Sequence, residues 1–229
     1  MALSRDTAGG SLFFLGLGAH HLDGPSEAPF YRRRRSWERS GRPAPPCDHP
    51  VVSSPTLSEL VDEYERALAY TESLYADLTD EQIRWRAGKE ASGIGWHLGH
   101  QAAVAHYLVR NLTAAEPLID PELDALMDSA TPEAERGDLP TLDRLVAYRG
   151  AVADRVRFRI GNIVDGNVGA PTQLRHIAGP LMTAVVNHEY QHDQWIGEVR
   201  RDVHGLDLPE RPTSPWLTTL EDYTVISGP

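Results

Sequence analysis

Two histidines stand four residues apart in the stretch Asn187-His188-Glu189-Tyr190-Gln191-His192-Asp193-Gln194-Trp195. Positions i and i+4 of an α-helix share a face, separated by a rise of about 6 Å. Two imidazoles so placed can reach one metal ion. Catalytic metal sites usually take three protein ligands and keep a position open. The third ligand must then come from another element. Gly95-Trp96-His97-Leu98-Gly99-His100 offers two candidates, His97 and His100, three residues apart on a second helical stretch. Neutral imidazole suits zinc, nickel and Fe(II), so a divalent metal ion is the expected cofactor. Without a metal, histidines on a core-facing stripe would need backbone or carboxylate partners.

Other residues could support such a site. Gln194 lies two residues past His192 and could orient a ligand or contact substrate. Tyr107 shares the broad helix face of His97 and His100, and is a candidate for the same supporting role. Trp96 and Trp195 read as core residues. His106, His176 and His204 fall off the site face and read as surface or capping residues.

The elements that must position these residues are helical. Thr56 and Glu59 form a T-x-x-E capping box, and apolar residues recur at helical spacing to about Leu78. Thr79-Asp80-Glu81-Gln82 opens a short turn ending near Arg86. The second main helix runs from Ser92–Gly95 to about Leu112 and carries His97 and His100. Residues 113–140 form a long connection with four prolines, a helical turn around Leu123–Met127, and a path that covers the site or crosses the bundle. The third helix runs from Thr141 to Ile160, with Leu142, Leu145, Val146, Val152 and Val156 inward. Its Arg144, Arg149, Arg155, Arg157 and Arg159 read as a solvated basic face. After a Gly/Asn loop at 162–171 and a short turn at 172–177, the fourth helix starts at Pro180 and ends near His204-Gly205. Leu181, Val185, His188, His192, Trp195, Val199 and Val203 form its inward stripe. No strand signal exceeds a few residues. The expectation is an all-α four-helix bundle over residues 56–205, with a flexible extension at 1–55 and a tail at 206–229 packed on the surface.

Composition narrows the partners. The chain has 229 residues, 41% of them hydrophobic, enough for one domain with tails. The net charge is −11; residues 1–55 hold seven Arg against five acidic residues, so the remainder carries −13. So acidic a domain is a poor nucleic-acid binder. No apolar run is long enough to cross a bilayer. Ser11–Ala19 is a short apolar run, but Asp6 in the would-be basic region argues against a secretion signal. Cys47 is the single cysteine, so no internal disulfide forms, which fits a reducing, cytoplasmic setting. Cys47 lies in the extension and is not a nucleophile candidate. The Arg32–Arg35 run reads as part of a solvated tail.

The segment from about 56 to 205 resembles the DinB-like (YfiT-like) metalloprotein superfamily. The resemblance rests on D-E-Q-I-R-W-R at 80–86, S-G-I-G-W-H-L-G-H at 92–100 and N-H-E-Y-Q-H-D-Q at 187–194, in that order. It implies a three-histidine metal site of His100, His188 and His192, with His97 behind them. It also implies one of two chemistries. One branch of the family activates small thiols such as bacillithiol or mycothiol for S-transfer or isomerisation. W-H-L-G-H and H-E-x-Q-H-D are also similar to the metal-binding domain of ergothioneine-type sulfoxide synthases, which use non-haem iron and O2 to form C–S bonds. The resemblance favours a metal-dependent transferase acting on a small thiol and an electrophilic co-substrate. The oxidase is the alternative, and a non-catalytic metal-stabilised binding protein a third reading. A homodimer is compatible with all three.

Overall fold

The computed structural model describes residues 54–220 and 223–226. The N-terminal extension, Cys47 and the Arg32–Arg35 run fall outside them, save Ser54 and Pro55. Six α-helices follow in order: α1 Leu57–Tyr75, α2 Asp80–Arg84, α3 Ile94–Val109, α4 Pro121–Leu126, α5 Leu142–Val164 and α6 Pro171–Asp202. A 3-10 turn at Glu133–Glu135 lies between α4 and α5. The four long helices form the bundle. α6 packs against α1 and α3, and α5 against α3 and α1.

Side chains set the helix starts. The Thr56 hydroxyl accepts from the Glu59 N–H at 3.3 Å while Glu59 Oε2 accepts from the Thr56 N–H at 2.7 Å. Thr79 and Gln82 repeat this reciprocal box at α2. Asp120 caps α4 through the N–H groups of Glu122 and Leu123, with Pro121 in the first turn. Each cap satisfies N–H groups that a helix start leaves unpaired. Gly205 follows α6 at φ +66°, a conformation glycine adopts without a Cβ penalty.

Three expectations need correction. First, α6 does not begin at Pro180. It is one helix of 32 residues from Pro171, with Pro180 inside it. Proline removes one internal N–H, and the carbonyl thereby released belongs to the exposed turn at His176, where water can satisfy it. Second, Arg149 is not on a solvated face; it is 5% exposed, in the core. The other four arginines do pair with acids: Arg144 with Asp120 and Glu122, Arg157 with Glu65 and Asp154, and both Arg155 and Arg159 with Glu116. Val146 and Val203, read as inward, are exposed. Third, the tail contains strands. Leu217–Leu220 (β1) pairs antiparallel with Tyr223–Ile226 (β2), with Leu217 opposite Ile226. Each strand is too short to show a period. The hairpin is fastened to the bundle by burial of Ile226, whose N–H donates to Asn187 Oδ1 on α6 at 2.7 Å.

Candidate metal centre

The first half of α3 is buried almost without a break from Ile94 to Ala102. A helix buried on every side needs cover beyond its bundle neighbours. Here the connection before α5 supplies it. Met127, fully buried, lies against Gly99, where any Cβ would collide with its Sδ, Cε and Cγ atoms. Glycine at 99 therefore lets the connection settle on α3 one residue from His100.

That approach has a chemical result. The Met127 carbonyl accepts a hydrogen bond from His100 Nδ1 at 2.7 Å. The bond fixes the ring and its tautomer, leaving the Nε2 lone pair free to bind a cation. On α6, His192 Nδ1 meets His97 Nδ1 at 2.8 Å. With the proton on His192, its Nε2 lone pair is likewise free, and His97 is the acceptor that orients it. His188 makes no hydrogen bond among the described residues, and it is the more exposed of the α6 pair.

His100, His188 and His192 converge. One ring nitrogen of each lies within 4.8 Å of the other two. Ring centroids are 5.1 Å apart for His100–His188, 5.0 Å for His100–His192 and 4.4 Å for His188–His192. No other metal-holding cluster occurs among the described residues. The aromatic walls are close. Trp96 stacks on His100 with centroids 4.4 Å apart and planes at 12°. Trp195 stands edge-on to His192 at 4.8 Å. The Arg136 guanidinium lies 3.8 Å over the outer face of Trp96 and is anchored to Ser92 Oγ and the Thr131 carbonyl. Trp96 and Trp195 thus form walls of the site as well as part of the packing.

Electrostatics keep the imidazoles neutral. Burial, then the neighbouring His100, lowers His97 and His188 to about 3. Burial also holds His192 well below the usual histidine range, reinforced by His188 and His97, and lowers His100. Neutral imidazole is the ligating form, so no proton needs to leave these groups for a cation to bind near neutral pH. The donor set therefore fits a divalent metal.

A charged layer backs the histidines. Glu189 and Asp193 follow His188 and His192 by one residue each and point to another face of α6. Arg149 pairs with Glu189 and donates to Gln101 Oε1 at 2.9 Å and to the Leu98 carbonyl at 2.8 Å. Gln101 Nε2 reaches the Glu189 carbonyl and Asp193 Oδ1, both at 2.9 Å. The Thr71 hydroxyl lies 2.9 Å from Glu189 and 2.8 Å from Asp193. Burial, then the Glu189 charge, pushes the Asp193 carboxyl well up. The network joins α1, α3, α5 and α6 directly behind the ligand pair. Its visible signature was the acid after each histidine in H-E-x-x-H-D, a second i, i+4 pair. The Met127 carbonyl and Arg136 carry no such signature, because they act through the path of the connection.

The structure distributes the remaining candidates differently. His97 sits against His192. Gln194 turns away from the histidines: its Nε2 donates to Glu198 Oε1 at 3.2 Å, and it lines a separate cavity. Tyr107 is 53% exposed, two turns and about 10 Å along α3 from His100. His106, read as a surface or capping residue, is 1% exposed; its Nε2 accepts from Arg155 at 2.9 Å and its Nδ1 faces Asp124 at 3.5 Å. His204 bonds the Gln82 carbonyl at 3.2 Å, and His176 is exposed.

Three convergent neutral histidines on facing helices of a four-helix bundle are an arrangement that could hold a metal ion. The comparison with known families agrees. The sequence model of the DinB superfamily, a metal-binding helical family, matches residues 63–196, more than half of the chain and all three histidines. The chain belongs to the DinB superfamily. That match is to the superfamily and does not extend to the sulfoxide-synthase kinship. No curated protein matches the chain. No helix among the described residues is long and apolar enough to cross a membrane.

Proposed function

We propose that the chain is a metal-dependent enzyme that activates a low-molecular-weight thiol for transfer to an electrophile or for a thiol-dependent isomerisation. The observation that supports this reading is the three-imidazole set, neutral, with two rings locked by their Nδ1 atoms. His100, His188 and His192 would hold the ion. Such a ligand set leaves the ion's full positive charge uncompensated, so it would supply Lewis acidity that keeps a bound thiol ionised near neutral pH.

The chain's own residues do the rest. Met127 and His97 hold two ligand rings in the tautomer that presents Nε2. Trp96 and Trp195 restrict water beside them and offer apolar surface to a substrate. His188, with fewer restraints and more exposure, marks the side from which a substrate enters. Arg149 neutralises Glu189 behind the ligands, which limits stray negative charge near the site. The co-substrate on this reading is a small electrophile, and the protein acts without nucleic acid or a membrane.

Metal analysis of protein purified without chelator or metal-affinity tag is the first test, followed by turnover of small thiols with an alkyl or epoxide electrophile. Zinc or nickel at one ion per chain, with thiol consumed and thioether formed, supports the reading. Iron-dependent O2 uptake with no thioether from the zinc form overturns it in favour of an oxidase. A bound metal with no turnover of any thiol leaves a metal-stabilised binding protein.

A further inference from the structure

A second cavity, separate from the histidines, lies between α1, α6 and the C-terminal tail. Its volume is about 80 Å³, room for a molecule of several heavy atoms. Tyr70 of α1 and Tyr190 of α6 line it, with ring centroids 6.4 Å apart. Asp193 and Gln194 also line it from α6, while Leu208, Arg211 and Thr224 close it from the tail.

Several polar atoms here lack a protein partner among the described residues. Asp193 Oδ2, the Tyr190 hydroxyl and Gln194 Oε1 are all buried and make no hydrogen bond among the described residues. Asp193 is 2% exposed and Tyr190 3%. Buried polar atoms normally find partners, so a cluster of orphans around one cavity points to something that enters it. Gln194 Oε1 is an acceptor only, and the Asp193 carboxylate and the Tyr190 hydroxyl can both accept, so one cationic donor group can serve all three. Among the described residues no three His, Cys, Asp or Glu side chains converge here, which favours an N–H donor over a metal ion. A primary ammonium carries three N–H donors, and the tyrosine rings add a favourable surface for a cation.

The opposite end differs. Arg201 and Arg211 line the same cavity and are exposed, so they stand at its rim. Arg201 also grips Asp202, and Arg211 reaches the Tyr70 hydroxyl. Both keep these partners, and their two positive charges favour an acid group at the rim. We propose that this cavity binds a small zwitterion, its ammonium end on the buried oxygens of Asp193, Gln194 and Tyr190 and its acid end at the Arg201–Arg211 rim. The site needs neither the histidines nor their metal.

Calorimetric titration of the full chain with glycine, β-alanine and 4-aminobutanoate, with and without added zinc, tests this. Ethylammonium and propionate serve as half-ligands. One zwitterion saturates in the millimolar range and binds at least about tenfold tighter than either half. Tyr190→Phe keeps the ring and the fold, and weakens binding about tenfold, the equivalent of one hydrogen bond. Gly197→Leu fills the cavity against Leu208, whose Cδ2 would lie 3.4 Å from the new Cβ, and abolishes binding. His192→Ala leaves it intact. The proposal is overturned if no zwitterion saturates up to about 10 mM, which means that water fills the cavity. It is equally overturned if a half-ligand binds as tightly as the whole, if binding requires zinc, or if binding survives both Tyr190→Phe and Gly197→Leu.

Discussion

Two faces of one helix solve opposite problems. On the face of α6 toward α3, His188 and His192 are kept neutral, and their partners leave lone pairs directed at a common point. On the face toward α1 and the tail, Glu189 and Asp193 bring carboxylates into the core, and only Glu189 is matched by a cation. The residues involved alternate one by one along the chain, about 100° apart around the helix. Burial acts on both faces and moves their proton affinities in opposite directions. It lowers the histidines and raises Asp193, because in each case it disfavours the charged form.

The broadest test of this contrast is pH. A histidine whose folded pKa lies below its unfolded value binds fewer protons when folded. Stability from it is therefore complete above the unfolded value of 6.5 and is lost as pH falls toward about 3, where His97 and His188 titrate in the folded chain. Asp193 has the opposite sign: its raised carboxyl makes stability fall as pH rises above 3.8. Five lowered histidines, the four at the site and His106, outweigh one carboxyl, so metal-free protein loses stability steeply from pH 6.5 downward. Asp193→Asn removes the opposing contribution, and urea melts across this range then show a steeper gain with pH. An unchanged slope would show that the two faces do not oppose each other.

Breaking the charged layer comes next in size. Arg149→Leu leaves Glu189 buried without its cation and costs about 3–5 kcal/mol in denaturant unfolding. Arg149→Leu with Glu189→Leu recovers most of that loss, since the pair is replaced by apolar volume.

On the histidine face the readout is metal affinity. His100→Ala, His188→Ala and His192→Ala each remove a ligand and weaken binding more than His97→Ala does. Loss of an orienting partner such as His97 costs about 10–100-fold. Competition titrations against a chromophoric chelator rank the four variants. If His97→Ala is the most damaging, His97 rather than His100 is the third ligand.

The smallest effect expected is from Gly99→Ala. The added methyl displaces Met127 and costs about 1–3 kcal/mol as an overpacked contact. It also loosens the carbonyl that holds His100, so metal affinity falls in parallel. A stability loss without a change in affinity would separate packing from ligand orientation.

Much of this was legible in the sequence because helical periodicity and ligand spacing are local. The i, i+4 pair at His188 and His192 can be read from a single turn, and Thr56–Glu59 announces its helix in four residues. The family match supports the bundle those patterns imply. What escaped depends on where distant segments meet. Arg149 has the same charge as the four other arginines of α5, which pair with acids nearer the surface, and only the position of Glu189 across the core marks it as internal. His106 is buried because α4 and Arg155 close over it. Pro180 looked like a helix start because Pro171, nine residues earlier, opens a turn that reads alone as an isolated fragment. The tail hairpin depends on Asn187 for its anchor, a contact 39 residues away in the chain.

The carbonyl of Met127 belongs to no bundle helix, yet one ligand ring is oriented by it. Release of an ion held by the histidines would therefore be tied kinetically to breathing of the segment between α3 and α5. While that segment is docked, His100 stays aimed and would retain the ion. Once it lifts by local unfolding, the ring is free to rotate and the ion would leave. The residence time of such an ion would be a clock set by a connection, and sequence changes in residues 110–141 would tune exchange without touching the three histidines.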